Sequence, residues 1–293
     1  MKNRHAPSDG IQLGCFFPNG RTGAVFSDEL AERNPEFSAQ SLLGLAVACE
    51  RVELDFLLIA DGWTGLDKLS ESLGHASPMF NSPLLGAAIT TVTDRIGIIT
   101  TLHTDVHHPA HVARMGGTLD TLSNGRWGWN IVTDQPNQAA LFGREPNPHD
   151  KRYEIAEEFT EVVKRMWEEP DVLRHTGAHI STHGRIKAPR PVQEPGPLLV
   201  NAAASPAGME FAAKHCDALM TSAPSIEQTA QMRERVDELL EQQGRRPEEM
   251  SLLVTAKCLI RDTEEEAQAE WERIESRINL DVCIDQMQTM YSG

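Results

Sequence analysis

Seven short apolar segments alternate with seven longer segments of helical spacing along the 293 residues of this chain. The strand-like segments cover residues 11–18, 55–61, 96–103, 125–133, 198–204, 218–223 and 251–260. The helical segments cover residues 38–51, 83–93, 109–122, 153–167, 206–215, 226–243 and 264–278. A strand followed by a helix, repeated in this way, predicts an α/β fold of parallel strands joined by right-handed crossovers. The count favours a (β/α)8 TIM barrel over an open sheet, with the eighth strand absent from this chain.

The length and composition suit one large domain. With 40% hydrophobic residues the chain can bury a sizeable core without a second domain, so residues 1–293 are expected to form a single TIM-barrel domain. A barrel that lacks one strand exposes two sheet edges, and the domain is therefore expected to be incomplete at its C-terminal end.

The charge of the chain excludes several classes of partner. A formal net charge of −16 argues against nucleic acids and anionic membranes, which require clustered Lys and Arg side chains. No apolar run is long enough to span a bilayer, and the N-terminal residues lack the apolar centre of a secretory signal, so a cytoplasmic location is expected. The five cysteines are scattered and lack CxxC spacing, which favours reduced thiols.

A turn of small residues follows the fifth predicted strand. In segment 201–208, Ser205 is a suitable N-cap and Pro206 a suitable first helical residue, and the small side chains leave backbone N–H groups open to a ligand. A helix start at the C-terminal face of a barrel binds phosphate groups. The alternative is a well-capped structural helix, because Ser-Pro helix starts are common.

Further polar side chains are expected near the same face. Arg152 and Tyr153 stand where a helix begins, and with Ser205 they could bind a phosphate, unless Arg152 only pairs with neighbouring glutamates. Asn130 lies at the mouth end of an otherwise apolar strand. Its buried amide needs partners, which could be a bound heterocyclic ring or the neighbouring loop backbone.

The histidine-rich segment 103–111 raises the question of a metal site. His107 and His111 are four residues apart, but Pro109 interrupts a helical pair and no third ligand is evident, so no metal is expected. His103 ends the third predicted strand, where an imidazole that faces the mouth could act as an acid or a base.

Three motifs in this order resemble the flavin-dependent monooxygenases of the bacterial-luciferase-like superfamily. The likeness is to the group that contains pyrimidine, nitrilotriacetate and dibenzothiophene-sulfone monooxygenases. The motifs are GRWGWNIVT at residues 125–133, HDKRYEIAEEF at residues 149–159 and NAAASPAGMEFAAKHCD at residues 201–217. The resemblance implies that the chain binds FMN and that Ser205, Arg152 and Tyr153 hold its phosphate.

The resemblance also implies where the reactive part of the site lies. Leu58, Thr101 and Asn130 match residues placed near the flavin and the dioxygen pocket of the relatives. The backbone of Asp61 and Gly62 matches a position beside the flavin ring.

The chain departs from the family pattern at two places. It has Gln138, followed by two alanines, where relatives of the pyrimidine type carry a flavin-contacting Glu, so that contact is in doubt. It also ends inside the insertion that precedes the eighth strand of the family. A C-terminal continuation that supplies this strand is expected, and a strand from a partner subunit is the alternative.

The implied function is that of an FMN-dependent monooxygenase. Reduced FMN, supplied by a separate NAD(P)H-dependent flavin reductase, would react with O2 and oxidise a small organic substrate, and a homo-oligomer is expected. Trp63, Trp127 and Trp129 favour a planar nitrogen heterocycle, pyrimidine-like or flavin-like, with ring cleavage included. Organosulfur or aminopolycarboxylate oxidation is the alternative within this class. A deazaflavin-dependent dehydrogenase and a flavin-binding protein without turnover are alternatives from other classes.

Overall fold

A computed structural model of the chain describes residues 10–20, 38–63, 78–133, 136–169, 171–222 and 225–284. Within these residues the strands are β1 (Gly14–Phe17), β2 (Phe56–Ile59), β3 (Gly97–His103), β4 (Trp127–Val132), β5 (Leu173–Thr176), β6 (Ser181–Gly184), β7 (Leu198–Ala202), β8 (Ala218–Thr221) and β9 (Ser251–Val254). The α-helices are α1 (Ala39–Arg51), α2 (Ser82–Thr90), α3 (Pro109–Leu122), α4 (Pro136–Ala139), α5 (His149–Glu168), α6 (Pro206–His215), α7 (Ile226–Gln242) and α8 (Glu264–Glu275).

The main sheet has the topology of a TIM barrel. In the described part of the chain, seven strands pair in the order β1-β2-β3-β4-β7-β8-β9. Every neighbouring pair is parallel, as crossover connections through helices require. The prediction of an α/β barrel of seven visible strands is therefore confirmed. Within the described residues β1 and β9 form the two ends of the sheet, so the barrel is not closed.

The structure adds one element that the sequence pattern did not predict. β5 and β6 pair as an antiparallel hairpin between α5 and β7. These two strands are short and largely polar, and Leu173 is the one residue of either strand that is buried. A hairpin of this composition lacks the apolar run that identified the strands of the main sheet.

Helix α5 starts earlier than predicted. It begins at His149 instead of residue 153, directly after Pro148, whose backbone is extended and which provides no side-chain cap. Because the usual polar N-cap is missing, the start of this helix could not be read from the sequence.

The chain reverses direction sharply in the turn before β4, through two residues with positive φ angles. Asn124 and Gly125, which follow α3, have φ angles of 52° and 72°, in the left-handed region. Gly125 N donates a 2.8 Å hydrogen bond to Asp120 O, which closes the end of the helix. Asn and Gly are the residues that adopt this conformation at least cost, so the Ser-Asn-Gly sequence determines where β4 starts.

The core has an outer layer and an inner layer. Between the sheet and the helices, one apolar cluster joins β4 and β7 to α3, α5 and α6, and a second joins β1 and β2 to α1 and α2. On the inner face, Leu58, Ile99, Val200 and Ala218 form a third cluster. β4 contributes Gly128 at this level, and a Cβ atom there would lie 3.2 Å from Ile99 Cγ1. The side chains of β3 and β7 therefore pack over the backbone of β4, which the curvature of the sheet allows.

No helix among the described residues combines the length and the apolar character that crossing a membrane requires.

The packing of α3 against β4 generates a stability prediction. Gly116 of α3 faces the rings of Trp127 and Trp167, and a Cβ atom at this position would lie 2.7 Å from Trp127 Cζ3 and 2.8 Å from Trp167 Cζ2. We expect Gly116→Ala to lower the free energy of unfolding by up to about 2 kcal/mol, because moving two buried indoles costs about 1–3 kcal/mol. The gain in helix propensity, about 1 kcal/mol, offsets part of this cost. Urea denaturation measures the change.

Gly44→Ala is the matched control for this prediction. Gly44 is an exposed residue of α1, and a Cβ atom there has no neighbour within 4 Å. We expect this variant to be more stable than the wild type by about 0.5–1 kcal/mol, because only the helix propensity changes. Equal shifts in the two variants would show that Gly116 is not tightly packed.

Candidate active site

β4 shows which side chains face the inside of the curled sheet. The ring of Trp127 lies 6.3 Å from that of Trp167, and the ring of Trp129 lies 6.2 Å from that of Phe159. Trp167 and Phe159 are residues of α5. Alternate residues of a strand face opposite sides, so Asn130 points inwards. The expectation that Trp127 and Trp129 contribute to the substrate pocket is wrong, because both indoles are buried under α5.

A short hydrogen-bond chain fixes Asn130 at the mouth of the barrel. Asn130 Nδ2 donates to Thr101 Oγ1 at 3.0 Å, and the Thr101 hydroxyl donates to Ile59 O at 2.8 Å. Asn130 Oδ1 is buried and has no hydrogen-bond partner among the residues that the structure describes. The Asn130 amide is thus oriented by a neighbouring strand, and its oxygen is left to accept a hydrogen bond.

Ser82, a residue that the sequence did not single out, completes this network. Its hydroxyl donates to Ile59 O at 2.8 Å and accepts from Thr101 N at 3.0 Å. Ser82 lies at the start of α2 and is fully buried, so it joins the end of β2 to β3. A lone Ser before Pro reads as a helix start, and nothing in the sequence shows that it bridges two strands. Leu58, one residue before Ile59, belongs to the inner apolar cluster below this network.

Asp61 organises the loop after β2. Asp61 Oδ1 accepts from Gly62 N at 2.9 Å, and Asp61 Oδ2 accepts from Ser82 N at 3.0 Å. Burial raises the pKa of Asp61 to about 6, while the two backbone hydrogen bonds act in the opposite direction. The carboxylate therefore holds the Asp61–Gly62 backbone beside the mouth.

His103 is fully buried at the end of β3 and faces inwards, on the same side of the strand as Thr101. Its Nδ1 atom lies 3.2 Å from Gln138 Nε2. Burial and, to a smaller extent, the charge of His107 lower the pKa of His103 to about 4, against an opposing effect of the Asp61 backbone. The imidazole is therefore neutral at physiological pH.

The start of α6 and the first turn of α5 meet in one corner of the mouth. Ser205 caps α6, and its Oγ accepts from Gly208 N at 3.2 Å. A Cβ atom at Gly208 would lie 2.5 Å from the Tyr153 hydroxyl oxygen, so the absence of a side chain lets Tyr153 reach the helix start. The Tyr153 ring packs on Phe211, with 5.9 Å between ring centroids.

Arg152 lies beside this corner on the first turn of α5. Its Nε atom donates to Asn147 O at 2.8 Å, which ties the side chain to the loop before the helix. The neighbouring glutamates have other partners: Glu157 forms an ion pair with Lys214, and Glu154 lies 3.7 Å from His179. The corner therefore combines a helix start, a phenol hydroxyl and a guanidinium group.

Aromatic side chains from three successive loops meet at the rim of the mouth. The ring of Trp63, after β2, lies 5.2 Å from that of Phe142, after β4. The ring of His107, after β3, lies 6.0 Å from Trp63. Trp63 and Phe142 are each more than one-third exposed, so this cluster offers an apolar, edge-to-face surface to a ligand.

The remaining histidines of segment 103–111 have structural positions. His108 is the N-cap of α3, and its Nδ1 atom accepts from Ala110 N at 3.2 Å. Its ring lies 6.3 Å from that of His111, and Pro109 is the first residue of the helix, as the sequence indicated.

Glu157, Glu161 and His215 bring oxygen and nitrogen atoms within 4.8 Å of one another on the outer surface of α5 and α6. Lys214 already pairs with two members of this group: it forms an ion pair with Glu157 and lies 3.8 Å from Glu161. Burial and, to a smaller extent, the neighbouring cations lower the pKa of His215 to about 3. A metal ion would have to displace Lys214 and approach a positively charged surrounding, so we infer no metal site here.

Sequence comparison identifies the family to which these features correspond. The sequence profile of the luciferase-like monooxygenases matches residues 11–288. N-acetyl-S-(2-succino)cysteine monooxygenase of Bacillus subtilis is 32% identical over 306 aligned positions, which cover 97% of this chain and 68% of that protein. Nitrilotriacetate monooxygenase component A of Aminobacter aminovorans is 30% identical and covers 78% of this chain. The chain spans 57% of the length of the Aminobacter protein. The resemblance stated from the three motifs is confirmed.

A solved structure of similar fold is that of a riboflavin lyase with modified FMN and riboflavin. It has a TM-score of 0.89 and 23% sequence identity, and the match covers 96% of this chain and 70% of the lyase. At this level of identity the likeness shows the fold alone.

The buried carboxylate of Asp61 generates a prediction on pH dependence. Because the pKa of Asp61 is raised from 3.8 to about 6, the folded protein keeps this proton up to about pH 6, whereas the unfolded chain loses it near pH 4. The contribution of Asp61 to stability is therefore largest below pH 4 and decreases as the pH rises to 6. We expect the free energy of unfolding of the wild type, relative to Asp61→Asn, to fall by up to about 3 kcal/mol between pH 4 and pH 7.

Urea denaturation of both proteins across this pH range measures the effect. The buried histidines titrate with the opposite sign in the same window, and taking the difference between wild type and variant removes their contribution. A difference that is constant from pH 4 to pH 7 would contradict a raised pKa at Asp61.

Proposed function

Because the chain belongs to the luciferase-like monooxygenase family, we propose that it is an FMN-dependent monooxygenase that uses reduced FMN and O2 to oxidise a small organic substrate. The observation that carries the proposal is the corner at which the Tyr153 hydroxyl reaches the start of α6 over Gly208. Because Gly208 has no side chain, the Tyr153 hydroxyl lies next to the helix start, where both could contact one phosphate group. We propose that the backbone of the α6 start, Ser205, Tyr153 and Arg152 hold the FMN phosphate.

The inner face suits the flavin ring. Asn130 Oδ1 is a buried acceptor to which no group in the described part of the chain donates, and leaving it unpaired costs about 1–3 kcal/mol. A flavin ring carries N–H groups that could satisfy it. We propose that Asn130 and the Asp61–Gly62 backbone bind the edge of the ring. When bound, reduced FMN supplies the electrons for the activation of dioxygen.

The residues around Asn130 have separate tasks in this proposal. The Thr101 hydroxyl donates to Ile59 O, so it orients the Asn130 amide and does not itself supply a proton to the substrate. Leu58 lies in the inner apolar cluster, and it would give dioxygen a dry space next to these groups. The chain thereby excludes water from the reacting atoms, which protects reactive intermediates from side reactions.

The rim of the mouth supports a planar substrate. Trp63 and Phe142 present exposed ring surface, and His107 closes one side of the cluster. Offset or edge-to-face contacts with such rings stabilise an aromatic ligand by about 0.5–1.5 kcal/mol beyond burial alone. We therefore propose a nitrogen heterocycle, pyrimidine-like or flavin-like, as the substrate class, with ring cleavage as one outcome.

A thioether is the second candidate substrate class. It is favoured by the 32% identity to a monooxygenase named for N-acetyl-S-(2-succino)cysteine, a thioether with carboxylate groups. Arg144, whose guanidinium group is more than one-third exposed and lies 3.4 Å from Asp105 Oδ2, could turn towards such a carboxylate. Nitrilotriacetate, which appears in the name of the Aminobacter relative, is an aminopolycarboxylate. A substrate of that class would use Arg144 in the same way.

The test of the reaction is oxygen consumption with chemically reduced FMN, followed by mass spectrometry of the products. Pyrimidines, riboflavin, thioethers and aminopolycarboxylates form the panel. Uptake of O2 with a product that gains one oxygen atom supports a monooxygenase and identifies its substrate class. Hydride transfer without O2 would favour a deazaflavin-dependent dehydrogenase, and FMN binding without turnover of any compound would favour a flavin-binding protein. Dependence on NAD(P)H and an added flavin reductase tests the proposed partner.

The phosphate corner generates a binding prediction. We expect Arg152→Ala to weaken FMN binding by about 10- to 150-fold, which corresponds to the 1.5–3 kcal/mol of a charge-assisted hydrogen bond. Riboflavin lacks the phosphate, so its affinity should change by less than about threefold. Quenching of flavin fluorescence on titration measures both constants.

Arg165→Ala is the control on the same helix. Arg165 lies near the far end of α5 and its Nε atom donates to Glu169 at 2.7 Å. Its replacement should leave the affinity for both flavins unchanged. An equal loss of FMN and riboflavin affinity in Arg152→Ala would place Arg152 outside the phosphate site.

A further inference from the structure

Gln138 occupies a central position between two groups at the mouth. This residue of α4 is fully buried. Its Nε2 atom lies 3.0 and 2.9 Å from the two carboxylate oxygens of Asp105 and 3.2 Å from His103 Nδ1. The Arg144 guanidinium group lies 3.4 Å from Asp105 Oδ2 on the other side. One amide nitrogen therefore joins a carboxylate to the imidazole.

The chemistry of these partners fixes the direction of each hydrogen bond. Carboxylate oxygens only accept, so the NH2 group of Gln138, and not its carbonyl oxygen, must face Asp105. An amide NH2 group has two hydrogens. One is donated to Asp105, and the other is directed at His103 Nδ1, which must then be an acceptor. In the neutral imidazole the single proton therefore resides on Nε2.

The opposite side of the ring agrees with this assignment. His103 Nε2 is buried and has no hydrogen-bond partner among the described residues. No donor in that part of the chain therefore requires Nε2 to be an acceptor, and a proton there stays available to a ligand. Burial lowers the pKa of His103 to about 4, which keeps the ring singly protonated at neutral pH.

We propose that Gln138 is a positioning residue that holds His103 as a neutral imidazole with its proton on Nε2, so that His103 offers the mouth a hydrogen-bond donor and not a base. The inference rests on the proposed function only in taking the mouth as the binding site. Its position predicted an acid or base role for His103, and the proposal replaces that role with hydrogen-bond donation from Nε2–H. Any ligand atom opposite His103 Nε2 must be an acceptor, such as a carbonyl oxygen of a heterocycle.

The side chain at position 138 would then determine which nitrogen of His103 carries the proton. A carboxylate there could not donate to His103 Nδ1; it would accept from an Nδ1–H group and stabilise the charged ring. Nearby Asp105 would add to this effect. Gln138→Glu is therefore expected to move the proton to Nδ1 or to protonate both nitrogens, and to raise the pKa of His103.

Nitrogen-15 NMR of ligand-free protein labelled at histidine tests the proposal without any assay of activity. The chemical shifts and ring couplings of the two nitrogens identify which one carries the proton, and the signals of His103 are those that disappear in His103→Gln. For the wild type we expect more than about 90% of the Nε2–H form from about pH 5.5 to pH 8, with no titration in that range. A predominant Nδ1–H form, or titration near pH 6.5, would overturn the proposal.

Two substitutions separate positioning from simple structural support. Gln138→Glu should shift the His103 titration upwards by at least one pH unit, and Gln138→Ala should give a mixture of the two tautomers. Gln268→Glu, on exposed α8 where Gln268 Nε2 donates to Glu272, is the control and should leave the His103 signals unchanged. If Gln138→Glu does not fold, the wild type and Gln138→Ala decide. Unchanged His103 signals in Gln138→Ala would overturn the positioning role.

Failure of this proposal and failure of the proposed function are distinguishable. The tautomer is read in the protein without flavin, whereas the FMN and riboflavin titrations of Arg152→Ala test the phosphate site. A wild type with the proton on Nε2 that binds no FMN would retain the inference about Gln138 and refute the flavin site.

Discussion

The alternation of side chains along strands that are buried on both faces determines the rest of this structure. Each strand must present large apolar groups to the helices and smaller or polar groups to the interior, and one residue of slip would exchange the two sets. β4 shows the result: Trp127 and Trp129 pack under α5, while Gly128 and Asn130 face inwards. The reactive groups of the mouth are consequently positioned by the same contacts that stabilise the outer core, and a change under α5 would be transmitted to Asn130.

The sequence predicted this framework well because the framework has a local signal. Each strand of the main sheet is a short apolar run and each crossover helix has its own spacing, and the Ser205 cap was visible from its residue type alone. The parts that were missed depend on contacts distant in sequence. Ser82 bridges β2 and β3, and Gln138 joins Asp105 to His103, yet neither is unusual for the segment in which it lies. The outward direction of the two tryptophans followed from the register of β4, which a single sequence does not fix.

Buried polar groups are paired at one end of the barrel and partly unpaired at the other. At the N-terminal end, Arg126 donates to Ser123 O, Ile96 O and Thr93 O, and Asp120 accepts from the backbone of Val192 and Gln193. These groups are paired within the protein and stabilise it. At the mouth, buried atoms of Asn130, His103 and Gln138 remain without partners in the described part of the chain. Leaving each of them unpaired costs about 1–3 kcal/mol, and a bound ligand could recover that free energy. This contrast agrees with the division of barrels into a stabilising face and a binding face.

An acidic chain can still bind an anionic phosphate, because the two effects act over different distances. The net charge of −16 is spread over the surface, and at physiological salt its field is screened beyond about 8 Å. Within that distance of the proposed phosphate site, the positive end of α6 and Arg152 act directly on the ligand, with about half a unit charge contributed by the helix. Two acids that follow on α5 have partners of their own: Glu154 lies 3.7 Å from His179, and Glu157 is paired with Lys214. The net charge therefore argues against extended polyanions as binding partners, because these contact a large part of the surface. It does not argue against a single phosphate group that binds at one corner of the mouth.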